Sequence, residues 1–596
     1  MTTYYVNLSG ATGTGDGSSE ANEAATFAEL SLSASDTVSF AKGSSSRGIV
    51  ISSSLTGLTL TSHGSGDRPW IRGDIPIASG NWTDEADNTF SATLSAEPDS
   101  VLYNIATNID SDGRHYGHLV KAASLAACQS TDATWFWASN VLYVNPSAAM
   151  TDPDTGGDYS YSEIEKNGVT LTGSGARCIG LRASFWTDTS ANFGYGLRFE
   201  GGNNYSEGNR VDDCGYHGIG HVTGAPQTGT SFNDEIWGFS ETMFVFHSNT
   251  GDVDGASTSG LHLHVYSRLG VDGTALATQS FIAYFAHATG DVLDIENTDT
   301  TWTCYGEAQC NLLAADDCPT VSAADRYEYT NYAIRFTGAS IINGPYITLG
   351  AGGAATASAA FRRSSLSMDD AINLPDPSNQ FAIGCMDQGQ LLLDACVSYA
   401  EINGAATDML YYVRGSANSR ITTINTLSVV DGTLTGAGDG FFHSNGWGNS
   451  GGIENFGSVF AWLGTGSMAL IRAHGPSKFA AADHVFESCW YYGISTYGRT
   501  VTALDTLAEW TAGIDADGVY AIDPDISLVD GVYSPDSPGD LRDTVTPEGE
   551  EPTYTAAAGI NGLGYDGRYG PYQYTPSTSG TLGKQLIPGL GLGIFK

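Results

Sequence analysis

Ionisable side chains crowd into residues 205–296, which include Asp212, Asp213, His217, His221, Asp234, Glu235, Glu241, His247, His262, His264 and His287 and hold six of the twelve histidines. Paired carboxyl groups are the machinery of glycosidic hydrolysis; roughly 5–5.5 Å apart they support retention, and roughly 6.5–9.5 Å inversion. Asp212, Asp213, Glu235 and Glu241 are the acid and base candidates. Elimination needs instead a base beside a group that neutralises a uronate carboxylate, and His217 and His262 are candidates for that base. His262 and His264 flank the apolar Leu263, so in an extended strand they share a face. Trp237, Trp302 and Tyr305 offer flat rings suited to stacking on sugars, and with His264 they form the candidate substrate-binding set. Solvated turns and polar ladders use these residue types too, so hydrolysis, elimination and binding alone all stay open.

The elements that must position these groups are short. Strand-like peptides such as Tyr195–Phe199, Gly218–Val222, Gly260–Val265, Tyr332–Phe336 and Met409–Val413 recur between Gly, Asn, Asp, Ser and Thr. One such peptide cannot bury its apolar face alone, but stacked coils can, so the pattern predicts an all-β parallel solenoid. Val211, Ile236, Leu261 and Ile282 are expected at equivalent places on successive coils, with Asp212 and Glu235 about one coil apart. At the strand spacing of roughly 4.8 Å, neighbouring coils bring such side chains within reach of each other. Four segments are expected: a cap and opening coil over 1–75, with a helix near 24–31; a β-rich insertion over 76–160; the solenoid over 161–500, on the order of fourteen coils; and a closing segment with an apolar tail over 501–596.

Composition narrows the partners. Lys plus Arg is 25 against 66 Asp plus Glu, a net charge of −41, which repels nucleic-acid phosphates. No apolar run is long enough to span a membrane. Met1–Val6 has neither a basic nor an apolar leader region, so no secretory signal is expected. Nine cysteines include no CxxC pair and read as buried thiols, with Cys304, Cys310 and Cys318 close enough in sequence for one disulfide. No cofactor is expected. Calcium is the one metal that the DxDG turns at 110–113, 252–255 and 515–518 would suit, although none has the closing Glu of a full loop.

The stretch from Tyr4-Tyr-Val6 through Asp36-Thr-Val-Ser-Phe40, Arg47-Gly48 and Gly64-Ser-Gly-Asp-Arg-Pro-Trp-Ile-Arg-Gly73 resembles the opening of right-handed parallel β-helix proteins of the pectate-lyase-like superfamily. The run Asp566-Gly-Arg-Tyr-Gly-Pro-Tyr-Gln-Tyr574 resembles the closing strand of the same group. Within it, the chain is most similar to bacteriophage tailspikes and polysaccharide depolymerases. That resemblance implies a homotrimer in a virion tail that binds, and in enzymatic members cleaves, host cell-surface polysaccharide. Because the opening signature starts at Tyr4, attachment would use an adaptor protein or the C-terminal tail. A secreted, extracellular lyase or hydrolase and a non-enzymatic adhesin rod are the alternatives.

Overall fold

A computed structural model of the protein describes residues 1–85, 87–163, 165–188, 193–223, 228–238, 242–248, 253–266 and 268–276, and between 280 and 535 chiefly the strands. The expected closing strand over 560–576 and the apolar tail lie outside the described residues. The chain forms two compact units, the first comprising Met1–His247, Leu261–Tyr284 and Gly306–Ala308 and the second the remainder.

In the first unit the chain feeds three parallel sheets in rotation. The first sheet stacks Thr3–Val6, Thr37–Ala41, Thr59–His63, Arg177–Ile179, Tyr205–Glu207 and Thr230–Phe232. The second stacks Ser45–Arg47, Trp70–Arg72, Arg182–Ser184, Arg210–Asp212, Glu235–Gly238 and His262–Val265. The third stacks Ile51–Ser53, Val169–Leu171, Leu197–Phe199, His217–Thr223 and Thr242–Ser248. Strands of three or four residues suffice because each needs one inward side chain, with its two neighbours turned outward. Along the second sheet that inward column runs Ile71, Ala183, Val211, Ile236 and Leu263, all fully buried. Leu263, not Leu261, is therefore the register partner of Ile236. Leu261 is buried in the turn just before the strand, so apolar spacing alone misplaces the rung by two residues.

The first sheet's inward column changes character, from Val38 and Leu60 through Cys178 to Ser206 and Ser231. A polar seam results. Asn209 Oδ1 accepts the Leu181 N–H at 2.9 Å. Asp234 takes the equivalent place one coil later, with Oδ1 accepting the Asn209 backbone N–H at 2.8 Å and the Asn209 Nδ2–H at 3.1 Å. Burial pushes the Asp234 pKa up to about 7, against the opposing hydrogen bonds from Ser206, Asn209 and Ser231.

The expected helix near 24–31 is a single 3-10 turn, Phe27–Glu29. Glu29 folds back to accept the N–H groups of Ala25 and Thr26 at 2.9 and 3.1 Å, which closes the turn at once. Between residues 74 and 163 two small sheets leave the coil. One is antiparallel, with Pro98–Tyr103, Tyr159–Glu163 and Asp74–Pro76. The other has five strands from Trp82 to Asn145, antiparallel except where Val120–Lys121 joins Thr134–Ala138. They share a core that includes Trp82, Val101, Trp135, Leu142 and Tyr159.

The second unit also builds parallel sheets. Parallel pairing runs from Val253–Ser259 to His484–Glu487, from Thr301–Tyr305 to Val519–Tyr520, and from Gln309–Ala315 to Ile494–Arg499. Its interior includes Leu391, Ile421, Ile453 and a set of packed rings, Phe442, Phe460, Phe486 and Tyr491. Cys128, Cys178, Cys214, Cys396 and Cys489 are buried free thiols. The disulfide expected among Cys304, Cys310 and Cys318 lies outside the described side chains. Among the described residues no helix is long and apolar enough to cross a membrane.

The neutral carboxyl in the polar seam sets a pH dependence. A raised folded-state pKa contributes stability that is complete below about pH 4 and lost as pH rises through about 7. Asp234→Asn keeps the acceptor without the charge. Urea unfolding at pH 8 should show the variant more stable than the parent, by up to roughly 4 kcal/mol, with the gap closing by pH 4; parallel curves at both pH values would contradict the assignment.

Candidate functional site

The register of the second sheet carries half of the sequence candidates to one surface. Its outward positions form two columns flanking the buried Ile71-to-Leu263 row. One runs Trp70, Arg182, Arg210, Glu235 and His262; the other runs Arg72, Ser184, Asp212, Trp237 and His264. Asp212, Glu235, Trp237, His262 and His264 thus share a face, because polar–apolar–polar triplets repeat in register coil after coil.

Asp212 is the charge centre of that face and has no exposed surface. Its Oδ2 accepts Arg182 Nε at 2.6 Å and Ser184 Oγ at 2.9 Å, and its Oδ1 accepts Arg210 Nε at 2.7 Å. Burial alone would raise its pKa, but the Arg182 and Arg210 guanidinium groups overcome that and hold it well below the usual carboxylate range. Asp212 therefore stays ionised, its oxygens occupied. Glu235 sits at the surface, with Arg68 Nη2 at 3.0 Å from Oε1 and Arg210 Nη1 at 3.9 Å from Oε2.

Trp237 does not present a bare ring. His264 lies parallel to it with centroids 3.5 Å apart, and the Arg210 guanidinium lies over the ring at 4.7 Å. Trp70 is covered likewise, by Arg182 at 3.9 Å and Arg72 at 4.8 Å. The face is thus a row of alternating rings, guanidinium groups and carboxylates, and its accessible chemistry is polar. Burial, with His262 and Arg210 nearby, lowers the His264 pKa to about 4, so that ring is neutral at neutral pH.

A loop of the insertion roofs one end. A Cβ at Gly113 would stand 3.3 Å from the Trp237 ring. His115 Nδ1 is 2.8 Å from the Ile105 carbonyl, which can only accept, so Nδ1 carries the proton. Its Nε2 then accepts Arg182 Nη2 at 2.9 Å. Asp110, in the first DxDG turn, accepts the Asp112 and Arg114 N–H groups and pairs with Arg114 Nε at 2.8 Å. Among the described residues no cluster of metal-ligating side chains forms.

Asp213 follows Asp212 with a φ of 49°, which turns its side chain away from the outward columns and into the fold. Neither carboxyl oxygen meets a donor in hydrogen-bond geometry. Burial and the neighbouring Asp212 charge push its pKa well up, and Tyr266 offsets this only in part. Gly238, at φ 109°, lies so close that a Cβ there would be 2.3 Å from Asp213 Oδ1. Asp212 and Asp213 are thus adjacent carboxyl groups whose pKa values are pushed in opposite directions.

The other candidates fall elsewhere. His217 belongs to the third sheet, packed against Tyr195 and Tyr216, and burial lowers its pKa to about 3. Tyr305 is a half-buried residue of a second-unit strand, Thr301–Tyr305. Glu241 and the Trp302 side chain lie outside the described residues. Sequence reasoning passed over Arg68, Trp70, Arg72, Arg182, Arg210 and His115; the signal present was the repeated triplet Trp70-Ile-Arg72, Arg182-Ala-Ser184, Arg210-Val-Asp212.

No protein-family model matches this chain, and no curated protein matches it in sequence. Solved structures similar to it include XylC in complex with xylose, at 10% identity and TM-score 0.42, covering 89% of this chain and 88% of that one. A glycoside hydrolase follows at 8% identity and TM-score 0.36, covering 76% and 97%. The tailspike protein gp49 from Pseudomonas phage LKA1 follows at 12% identity and TM-score 0.31, covering 75% and 74%.

Two predictions follow from the electrostatics. Asp212→Asn strands two stacked guanidinium groups and should cost roughly 3 kcal/mol or more in urea unfolding, whereas Glu235→Gln, at the surface, should cost under about 1 kcal/mol; equal losses would contradict the central role of Asp212. His217, His221 and His264, with pKa values lowered to about 3, 3 and 4, contribute stability that is complete above the unfolded value near 6.5 and lost as pH falls. At pH 5 each should cost roughly 2 kcal/mol, outweighing the opposite trend of Asp234, so the urea midpoint should drop between pH 7 and pH 5.

Proposed function

We propose that this protein is a tailspike-like right-handed parallel β-helix that binds a cell-surface polysaccharide along the outward face of the second sheet. One observation carries the reading. Five guanidinium groups, those of Arg47, Arg68, Arg72, Arg182 and Arg210, are held rigidly among carboxylates and rings on successive coils of one face. Such a surface presents fixed hydrogen-bond donors and acceptors at a regular spacing, which suits a polymer whose own hydroxyl groups repeat. The Glu235–Arg68 pair is accessible, at 29% and 32% side-chain exposure, and the exposed His262 is in register beside Glu235.

Cleavage is the second reading, favoured by the opposite pKa shifts of the adjacent Asp212 and Asp213. A carboxyl group kept neutral beside an ionised one is the arrangement that acid catalysis of glycosidic hydrolysis requires. In this reading the insertion loop that covers the pair through His115 moves aside from Arg182 and Tyr266 to admit substrate. A homotrimeric state, a virion location and an adaptor partner complete the tailspike reading; a monomeric secreted enzyme is its competitor.

Affinity electrophoresis against a panel of bacterial surface polysaccharides tests binding. Arg68→Gln and Glu235→Gln should each weaken retardation by roughly tenfold, the value of one charge-assisted hydrogen bond, with unfolding unchanged. Full retention in both variants removes the site assignment. Asp213→Asn should stop release of reducing ends while leaving binding intact. Sedimentation separates the trimer from the monomeric alternative.

A further inference from the structure

Resting on that reading, we propose that the glycan bound on this face is uncharged, a neutral hexose or pentose polymer rather than a uronate- or phosphate-bearing one. Arg47 pairs with Asp74 at 2.7 Å and Asp158 at 3.0 Å, and Arg72 grips Asp74 through two bonds of 2.8 Å each. Arg182 and Arg210 share Asp212, and Arg68 holds Glu235. Five guanidinium groups thus meet four carboxylates, each cation already within ion-pair distance of an anion.

A polyanion binds where guanidinium groups can turn a bidentate edge toward it. Here each guanidinium already gives at least one N–H to a carboxylate of the face, and turning Arg72, Arg182 or Arg210 fully outward would take a counter-charge from Asp74 or Asp212, both wholly buried. His115 carries its proton on Nδ1 toward Ile105 and offers a lone pair to Arg182, so it adds no cation. The whole chain, at −41, repels a second polyanion. A hydroxyl group has opposite needs. It both donates and accepts, and the exposed flank of an Arg–carboxylate pair supplies one of each. The covered faces of Trp70 and Trp237 point the same way, since recognition falls to polar edges instead of bare rings.

Glu235 is the specificity determinant in this scheme. Of the ladder's two surface carboxylates, Asp158 and Glu235, it is the one that neutralises Arg68, the most exposed of the guanidinium groups. Removing its charge frees an arginine edge for an acidic polymer.

The test is affinity electrophoresis of the full chain in gels carrying dextran, galactomannan, arabinoxylan or β-glucan, against polygalacturonate, alginate and hyaluronate. Retardation by at least one neutral polymer is expected, changing less than about two-fold between low salt and 0.5 M NaCl, where screening cuts in at roughly 4 Å. Glu235→Gln should lose that retardation and acquire a salt-sensitive one, at least about five-fold, on an acidic polymer. Salt-sensitive binding of the unaltered chain to an acidic polymer overturns the proposal while leaving the polysaccharide reading in place. Retardation by no polymer in either group overturns both. A Glu235→Gln variant that loses neutral binding and gains no acidic one overturns the role of Glu235 in excluding charge.

Discussion

A coil that pairs with the one beneath it in constant register sets equivalent side chains directly above one another. Arg182 and Arg210 are such partners, two like charges one rung apart. At roughly 4.8 Å and an effective dielectric near 20 their repulsion is about 3.5 kcal/mol. Asp212, reached by both, turns that repulsion into a bridge. The rest of the face is arranged around it: Ser184 and Arg182 bring in Trp70, Arg210 brings in Trp237 and Glu235, and Trp237 carries His264. A side chain that looks in isolation like a catalytic acid is, in place, the keystone of a ladder.

The stacked parallel strands were legible from the sequence because alternation and turn residues report directly on local geometry. The grouping of Asp212, Glu235, Trp237, His262 and His264 was legible for the same reason, since each flanks an inward apolar residue in a triplet. The precise rung was harder to read. Leu261 and Leu263 are both fully buried, and only the hydrogen-bond register says which one pairs with Ile236. The environment of each carboxyl group was not legible at all. Asp212 and Asp213 are chemically identical neighbours, yet a positive φ at the second sends one to the guanidinium groups of Arg182 and Arg210 and the other into the fold beside Gly238 and Tyr266. The roof over them comes from the insertion, roughly a hundred residues earlier, and no local pattern announces that contact.

The interior of the first unit departs from a simple apolar filling. Ser206, Ser231, Asn209, Asp234 and His221 form a connected polar seam beneath the first and third sheets, with His221 Nε2 3.1 Å from Ser231 Oγ and its ring stacked on Phe199. Asparagine in such a seam meets each backbone group with a neutral partner. Asp234 fills the next place with a group that must keep its proton to be comfortable there. Stability is thereby tied to pH from inside the coil, independently of the charged outer face.

One topological fact has a kinetic corollary. Trp70–Arg72 and Arg182–Ser184 are adjacent rungs, although the whole insertion lies between them in sequence. An open chain of that length brings its ends together slowly, and the entropy of closure must be met before any rung-to-rung bond forms. The insertion has its own aromatic core and a short antiparallel sheet that includes Asp74–Pro76 and Tyr159–Glu163, the segments nearest those two rungs. With those segments paired, the insertion's two ends stand side by side, so that once it has folded a remote encounter becomes a local one. The appendage then acts as an internal chaperone for the assembly order of the coil that carries it.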